Sequence, residues 1–118
     1  MKDDLSPYLP LSPATLHILL ALARNERHGY GIMQDVAEQS EGKYKLGPGT
    51  LYDNLQKLMT QHMVEEAAAR TARDDPRRRY YRLSSLGRNV LSAEIARLEA
   101  VIRQARQQLR APSPRRAT

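Results

Sequence analysis

Cysteine, tryptophan and phenylalanine are absent from the 118 residues of this chain. The lack of cysteine excludes a disulfide framework, a thiolate nucleophile and any zinc site that needs sulfur ligands. Aromatic residues make up only 5% of the chain and all of them are tyrosine, so the core has to be built from aliphatic side chains. A chain of this length supports one domain, and such a small domain gains stability by associating with a second copy.

Long hydrophobic runs are absent as well. No apolar run approaches the roughly 20 residues that a membrane span requires. Residues 1–10 lack the basic and then apolar layout of a secretory signal. These absences predict a cytoplasmic protein that has no membrane partner.

The sequence also lacks the signatures of an enzyme. It contains no glycine-rich phosphate loop, no pair of histidines at metal-binding spacing, and no serine, histidine and acid set that so small a fold could hold in a pocket. The three histidines, His17, His28 and His62, are scattered along the chain. We therefore predict no catalytic residue, no metal site and no cofactor, and we expect the protein to act by binding.

Positive charge is in excess, with 19 Lys and Arg against 13 Asp and Glu and a net charge of +6. The arginines are concentrated in residues 70–82 and 103–116. A local basic surface favours a polyanionic partner, most simply nucleic acid. Residues 111–118, rich in proline and arginine, predict a disordered basic tail, and the prolines within residues 1–10 predict a flexible N-terminal arm.

Helical periodicity begins after this arm. Ser12 followed by Pro13 is typical of a helix start, and the apolar spacing predicts a first helix over residues 13–23. The residues expected on its buried face are Leu16, Leu19, Leu20 and Ala23.

A second, short helix is predicted to follow a polar turn at residues 24–27. It opens at His28-Gly29-Tyr30-Gly31 and ends before Glu41. We interpret the opening residues as a tight helix start, with Tyr30 partly buried.

The third helix is predicted to begin at Gly47-Pro48-Gly49-Thr50. Proline is tolerated in the first turn of a helix because an N–H there would have no partner within the helix. Leu51, Leu55 and Leu58 form its predicted buried stripe. At 100° per residue the opposite face is polar and almost uncharged. That face collects Gly49, Thr50, Asp53, Gln56, Lys57 and Thr60.

Strand periodicity replaces helical periodicity from residue 63. Residues 63–67 and 79–83 predict the two strands of a hairpin, and residues 43–46 are compatible with a further brief strand. The predicted hairpin tip, about residues 70–78, contains the turn former Asp74-Asp75-Pro76. The arginines that flank this turn are Arg70, Arg73, Arg77, Arg78 and Arg79.

A long final helix is predicted over residues 84–110, with Ser84 as its cap. Its apolar residues alternate spacings of four and three, which is the pattern of a heptad seam lasting about three heptads. This pattern favours a homodimer, and the alternative is a helix packed on its own domain. The predicted dimerisation residues are Leu91, Ile95, Leu98, Ile102, Ala105 and Leu109.

The order of three helices, a hairpin and a long helix predicts an α+β, mostly helical chain. In this interpretation residues 11–83 form a winged helix-turn-helix and residues 84–110 form a C-terminal dimerisation helix. Four ordered blocks then resemble the PadR family of bacterial transcriptional regulators, in its smaller branch with a single C-terminal helix. The blocks are Leu19-Leu20-Ala21-Leu22, His28-Gly29-Tyr30-Gly31-Ile32, Leu46-Gly47-Pro48-Gly49-Thr50-Leu51-Tyr52 with Leu55 and Leu58, and Arg79-Tyr80-Tyr81-Arg82-Leu83-Ser84 with Gly87.

The resemblance implies a DNA-binding homodimer that acts as an autoregulated repressor and is released by small molecules. Two departures from the family pattern are visible. His62 stands where the family usually has glycine, and histidine is among the less costly residues if that position needs a positive φ. Because the chain has no tryptophan, a small hydrophobic or aromatic effector near Leu91, Ile95 and Leu98 would have to be held by aliphatic or tyrosine side chains.

Double-stranded DNA is the expected partner on physical grounds too. A helix entering the major groove needs side chains that exchange hydrogen bonds with base edges, and the polar face of the third helix supplies them. The hairpin arginines suit phosphates or a narrow minor groove. The predicted DNA-binding residues are Gly49, Thr50, Tyr52, Asp53, Gln56, Lys57, Arg70, Arg73, Arg77 and Arg78.

Two other binding functions are compatible with the sequence. The same fold could serve as a protein–protein interaction module without sequence-specific DNA binding, in which case its third helix should carry exposed aromatic or aliphatic anchors. RNA binding would call for an exposed aromatic platform, for which only Tyr44 and Tyr80 are candidates.

Overall fold

A computed structural model of the chain describes residues 4–67 and 79–110. The predicted hairpin tip at residues 70–78 and the predicted tail at residues 111–118 lie outside the described residues. The helices and strands, in chain order, are α1 (Pro13–Leu22), β1 (Arg27–His28), α2 (Gly29–Gln39), α3 (Pro48–Thr60), β2 (Val64–Ala67), β3 (Tyr80–Leu83) and α4 (Ser85–Arg110). This is the predicted winged-helix order followed by a long helix.

Local sequence accounts for the helix starts. The Ser12 hydroxyl accepts the Thr15 N–H at 3.2 Å, with Pro13 in the first turn. The His28 Nδ1 accepts the Gly31 N–H at 3.0 Å, which confirms the tight start predicted for α2. The Ser84 hydroxyl accepts the Gly87 N–H at 3.0 Å and donates to the His62 carbonyl at 2.6 Å, so one side chain caps α4 and ties it to the end of α3.

The buried face of α1 differs from the prediction. Leu19 is buried as expected, but Leu20 is exposed, and the other buried positions are Ile18, Ala21 and Leu22. Residues 18–23 are all apolar, so the pattern does not select one face of the helix. Packing against α2, α3 and α4 selects the face instead.

The sheet contains a strand that was not predicted. The strand order is β1-β3-β2, with both pairs antiparallel and with Arg27 opposite Tyr81 and Val64 opposite Leu83. The additional strand, β1, covers the last residue of the predicted polar turn and the first residue of the predicted second helix. The brief strand considered for residues 43–46 is not formed. The Tyr44 ring stacks on His17 with centroids 4.4 Å apart, so side chains hold this segment in place of a strand ladder.

Two helices end in the same left-handed turn. At the end of α3 the Met63 N–H donates to the Leu58 carbonyl and the His62 N–H to the Met59 carbonyl, with His62 at φ 64°. At the end of α2 the corresponding residue, Glu41, has φ 55°. Both are Schellman-type ends with a residue other than glycine in the αL position. His62 therefore has the positive φ at which histidine is among the less costly alternatives to glycine.

Residues 4–10, predicted as a flexible arm, make contacts with the rest of the fold. A short 3-10 helix forms at Ser6–Tyr8. Leu5, Tyr8 and Leu9 are partly buried against the core. Their apolar side chains gain from leaving water, which is the physical reason that this segment packs.

The core lies where the three N-terminal helices meet the sheet and the first half of α4. Only Gly87, Val90, Leu91 and Glu94 are buried along α4, and every residue from 99 to 110 is exposed. No helix among the described residues is long and apolar enough to cross a membrane. The buried apolar residues are Ile18, Leu19, Ala21, Leu22, Ile32, Val36, Leu46, Leu51, Leu55, Leu58, Met63, Val64, Tyr81, Leu83, Val90 and Leu91.

Candidate nucleic-acid interface

Helix α3 presents two distinct faces. Leu51, Leu55 and Leu58 are buried, as the sequence predicts, and they anchor the helix in the core. The structure places all the predicted site residues of this helix on the exposed surface. They are Gly49, Thr50, Tyr52, Asp53, Gln56 and Lys57.

Asn54 lies between these faces and was not predicted to matter. Its Oδ1 accepts the Thr15 hydroxyl at 3.0 Å, and its Nδ2 donates to the Thr50 carbonyl at 2.8 Å. The side chain therefore joins α3 to the first turn of α1. The sequence signal that could have identified it is a polar residue at the edge of a leucine stripe.

Tyr52 lies across the start of α2. A Cβ atom at position 29 would overlap the Tyr52 hydroxyl sterically. Glycine at this position therefore leaves room for the Tyr52 ring as it is placed. Tyr52 is also close enough to Tyr81 to help raise the pKa of Tyr81. Burial is the main cause of that raised pKa, with Tyr52 and Glu66 adding to it and Arg79 opposing it.

Tyr30 is 63% exposed, so the prediction that it is partly buried is wrong. Gly29 and Ile32 are the residues of this first turn that face the core. The Tyr30 ring follows directly after the glycine that Tyr52 covers. An exposed aromatic side chain thus stands at the end of α2 that lies beside α3.

An ion pair between the partly buried Arg27 and the buried Asp35 links the turn after α1 to α2. The Arg27 guanidinium lies 3.2 Å from the Asp35 carboxylate, and its Nε donates to the Ala21 carbonyl at 2.6 Å. Asp35 is buried on α2, where a carboxylate needs such a partner. Sequence reasoning missed this pair because β1, which carries Arg27, was not predicted.

Acidic residues pair with the arginines of the sheet. Arg82 lies 3.1 Å from Glu65 and 3.7 Å from Glu26, and Arg79 lies 2.9 Å from Glu66. These two arginines therefore have local partners. The arginines predicted to contact DNA from the hairpin, Arg70, Arg73, Arg77 and Arg78, lie outside the described residues.

The predicted dimer seam begins inside the domain. Leu91 is only 5% exposed and belongs to the core of its own chain, so it is not free to face a partner. Leu98 is half-buried, whereas Leu109 is 86% exposed. Val101, which was not predicted, adds a further apolar side chain to the exposed stripe. The other exposed seam positions are Ile95, Ile102 and Ala105.

Glu94 is the other buried acid, with 1% of its surface exposed. Its carboxylate accepts bonds from Arg97 Nε at 2.6 Å and Arg97 Nη2 at 3.0 Å, and from the Leu11 N–H at 3.1 Å. The Arg97 bonds are the main reason that the pKa of Glu94 lies below its ordinary value; burial opposes them and the Leu11 bond adds to them. Glu94 interrupts the apolar face of α4, which is the signal that could have identified it.

A groove of about 360 Å³ opens beside the polar face of α3. Thr15, Asn54, Gln56 and Lys57 are among the residues that line it. In the described ranges, 4–67 and 79–110, no group of three histidine or acidic side chains could hold a metal ion. The chemistry available beside α3 is therefore hydrogen bonding and charge.

A family model described as the transcriptional regulator PadR-like family matches residues 18–93, which is more than half of the chain. The chain belongs to this family. The match includes α3, the sheet and the buried first part of α4. PadR-like proteins are transcriptional regulators, so membership assigns the chain to regulation and not to enzymatic catalysis.

Known relatives agree with this assignment. Transcriptional regulator Rv3488 of Mycobacterium tuberculosis is 33% identical to this PadR-like chain over 89 residues, covering 75% of this chain and 78% of the relative. A PadR family transcription regulator from hypervirulent Clostridium difficile R20291 matches with a TM-score of 0.68 at 18% identity, covering 83% of this chain and 99% of that one. Bacillus subtilis PadR, solved in complex with operator DNA, matches with a TM-score of 0.59 at 18% identity, covering 92% and 53% respectively. The two structures show the shared winged-helix fold.

Proposed function

We propose that this PadR-like regulator binds double-stranded DNA sequence-specifically as a homodimer and represses transcription at an inverted-repeat operator. The observation that carries the proposal is the exposed polar face of α3, held outward by its three buried leucines. A helix of this kind fits the major groove, where each base pair presents a distinct set of donors and acceptors.

The side chains of α3 divide into base-reading and phosphate-binding groups. Gln56 can make two hydrogen bonds to adenine, and Lys57 can bond guanine or a phosphate. Asp53 can accept from a cytosine amino group, with Lys57 available to offset its charge. The Tyr52 hydroxyl and the free N–H groups near Gly49 are suited to phosphates.

The hairpin supplies the remaining positive charge. Glu65 and Glu66 offset the charges of Arg82 and Arg79, so the sheet itself contributes little net charge. The arginines left to contact DNA are Arg70, Arg73, Arg77 and Arg78. Guanidinium groups lose less hydration than ammonium groups and bind phosphate at two points, and they also suit a narrow minor groove.

The part of α4 from Ile95 onward supplies the dimer contact in this proposal. Ile95, Leu98, Ile102 and Leu109 continue a heptad pattern along a helix whose own domain leaves residues 99–110 exposed. Burying this stripe against a second copy removes apolar surface from water. The two α3 helices of such a dimer would read half-sites about 34–36 Å apart, or one DNA turn.

Operator binding by a relative supports DNA as the partner, because Bacillus subtilis PadR is solved with operator DNA. Release by a small hydrophobic or aromatic effector is part of the proposal. Its site would lie between α1 and the seam, near Ile95 and Leu98, where binding would alter the spacing of the two α3 helices. The effector could weaken DNA binding by no more than its difference in affinity for the two states.

A mobility-shift assay tests DNA binding and autoregulation together. The DNA is the fragment upstream of the protein's own gene, and random DNA of equal length is the control. We expect a shift at lower protein concentration with the upstream fragment. Equal affinity for the two fragments, together with failure to enrich any sequence from a random duplex library, would contradict sequence-specific binding.

The interaction-module alternative requires apolar anchors on α3. Tyr52 is the one large apolar or aromatic side chain that α3 exposes, and the rest of its outer face is polar. Protein interfaces are usually anchored by a cluster of such side chains. The surface of α3 therefore favours nucleic acid.

A further inference from the structure

Hydrogen bonds, together with the peptide link from Leu11 to Ser12, connect α4 to α3 through the first turn of α1. The Glu94 carboxylate accepts the Leu11 N–H at 3.1 Å, and Leu11 precedes Ser12, the cap of α1. The Ser12 hydroxyl donates to the Thr15 hydroxyl at 3.0 Å. The series continues to α3 through the Asn54 side chain. We call this series the polar relay; its members are Glu94, Leu11, Ser12, Thr15, Asn54 and Thr50.

Burying the Glu94 carboxylate on α4 carries a desolvation cost. An apolar residue buried on α4 would pack without the desolvation cost that a carboxylate carries, and replacing buried ion pairs by apolar groups is often neutral or stabilising. Two bonds from Arg97 and one from Leu11 satisfy the carboxylate. The Leu11 bond spans 83 positions in the sequence, so its structural effect is to hold the start of α1 on α4.

Asn54 is the member of the polar relay that bonds α3 to α1. Its amide group bonds both Thr15 on α1 and the Thr50 carbonyl one turn earlier on α3. Asp53 and Lys57 lie on the adjoining exposed face of the same helix. A displacement at Thr15 would therefore reach, through Asn54, the part of α3 that carries the polar face.

We propose that Glu94 and Asn54 are positioning residues for DNA binding, and that the polar relay transmits changes at α4 to the base-reading face of α3. The inference rests on the DNA-binding function proposed above and adds the route of regulation. A partner copy or an effector that moves α4 near Glu94 acts on DNA binding through the Leu11 bond. Neither Glu94 nor Asn54 needs to touch DNA for this effect.

A double-mutant cycle tests the relay. Glu94→Leu removes the acceptor for Leu11, and Thr15→Val removes the hydroxyl that bonds Asn54. The probe is a duplex enriched from a random library by the wild-type protein, and a scrambled duplex of equal composition reports non-specific binding. We expect each single variant to weaken specific binding roughly five- to tenfold and to change non-specific binding less than about twofold.

The combination of the two changes distinguishes transmission from separate structural damage. If both act through one relay, the double variant should bind no more weakly than the weaker single variant, since the relay is already broken. Losses that multiply, or that are equal for specific and scrambled DNA, would overturn the proposal. Glu94→Gln retains an oxygen that can accept from Leu11 and should restore most of the specific affinity. If Glu94→Leu fails to fold, Ser12→Ala takes its place in the cycle.

A matched control and a measurement without DNA complete the test. Ser40→Ala removes a side-chain hydroxyl that bonds the Tyr44 backbone at the end of α2, so it should leave specific affinity unchanged. In amide NMR spectra of the free protein, Glu94→Leu should move the Asn54 side-chain NH₂ signal. An unmoved signal would overturn the relay even if DNA binds. If no duplex is enriched by the wild type, the DNA-binding function fails while this spectrum still decides whether the two helices are linked.

Discussion

Gln56 is the side chain of α3 whose chemistry identifies a base most directly. Its amide matches the donor and acceptor of adenine in the major groove, and the residue is exposed in the third turn of the helix. We expect Gln56→Ala to lose about 1–3 kcal/mol of discrimination at one base position. Selection from a random library by the wild type and the variant, followed by sequencing, measures the change.

Gln34 on α2 provides the control for this prediction. It is also an exposed glutamine, but it lies on a different helix from the base-reading face. Gln34→Ala should enrich the same sequence as the wild type. An unaltered preference after Gln56→Ala would remove Gln56 from the base-reading group.

Glu94 makes the stability of the fold depend on pH. Its pKa is lowered in the folded protein, so the unfolded chain takes up the proton first as the pH falls. The stabilisation is complete above the ordinary glutamate pKa of about 4.3 and is lost as the pH falls through the lower folded-state pKa. The loss should have a slope of up to about 1.4 kcal/mol per pH unit for this one group.

Chemical denaturation at several pH values between neutrality and pH 3 measures this dependence. Glu94→Gln cannot ionise, so its free energy of unfolding should fall less steeply than that of the wild type in the acid range. Glu99→Gln, an exposed change on the same helix, is the control and should follow the wild-type curve. Parallel curves for Glu94→Gln and the wild type would contradict the prediction.

The C-terminal end of α3 contains a strained backbone conformation at His62. His62 adopts φ 64° to close the helix, a conformation that glycine adopts without steric cost. We expect His62→Gly to stabilise the protein by about 0.5–1 kcal/mol, because relief of the αL strain exceeds the added entropy of the unfolded chain. Thermal unfolding of the two proteins measures the difference.

Gln61 is the neighbouring residue and has φ −86°, a negative value that carries no αL strain. Gln61→Gly relieves no strain and only adds freedom to the unfolded chain, so it should destabilise the protein by about 0.5–1 kcal/mol. The two substitutions should thus shift the unfolding temperature in opposite directions. A loss of stability in both would show that the His62 side chain contributes more than its backbone costs.

Elements with strong local signals were predictable from the sequence. The caps at Ser12 and Ser84 and the leucine stripe of α3 each depend on residues within one or two turns of the chain. The strand β1 was not predictable, because it has two residues and exists only through its pairing with β3. The inward face of α1 was not predictable either, since six consecutive apolar residues offer no contrast between faces.

The dimer is a property of the whole molecule. Changing both Leu98 and Ile102 to glutamate would place unpaired charges in the proposed seam, so we expect a monomer whose domain over residues 11–83 stays folded. Operator binding should fall steeply, since two half-sites bound together hold far more tightly than one. Sedimentation and circular dichroism measure the mass and the fold.

Gln104 and Gln107 allow a control with the same added charge. Both are exposed on α4 and lie off the predicted heptad seam. Changing both to glutamate should leave the dimer intact. A wild-type protein that sediments as a monomer, or a Leu98 and Ile102 double variant that stays dimeric, would contradict the seam.

The net charge of +6 should make DNA binding strongly dependent on salt. A dimer that neutralises roughly 6–10 phosphates should show a steep fall of log affinity with log salt concentration. Changing Arg77 and Arg78 to alanine should flatten that slope by about 0.9 for each phosphate that the variant no longer neutralises, for every DNA sequence alike. Titrations at several salt concentrations measure the slope.

Arg79 and Arg82 are the matched control for this prediction, since they carry the same charge on the same hairpin. They already pair with Glu66 and Glu65, so changing both to alanine should flatten the slope less. Equal slopes for the two double variants would indicate that only total charge matters. A slope that neither variant changes would exclude the hairpin from the interface.

The sequence by itself determined the helical order, the polar face of α3, the hairpin and the length of α4. Each of these follows from periodicity or capping among residues that are neighbours in the chain. Tertiary structure decided which side chains are buried or paired and which are exposed for binding. It buried Leu91 in the domain, exposed Tyr30 and set Glu94 against Leu11. Contacts of that kind join residues far apart in sequence, so no local pattern specifies them.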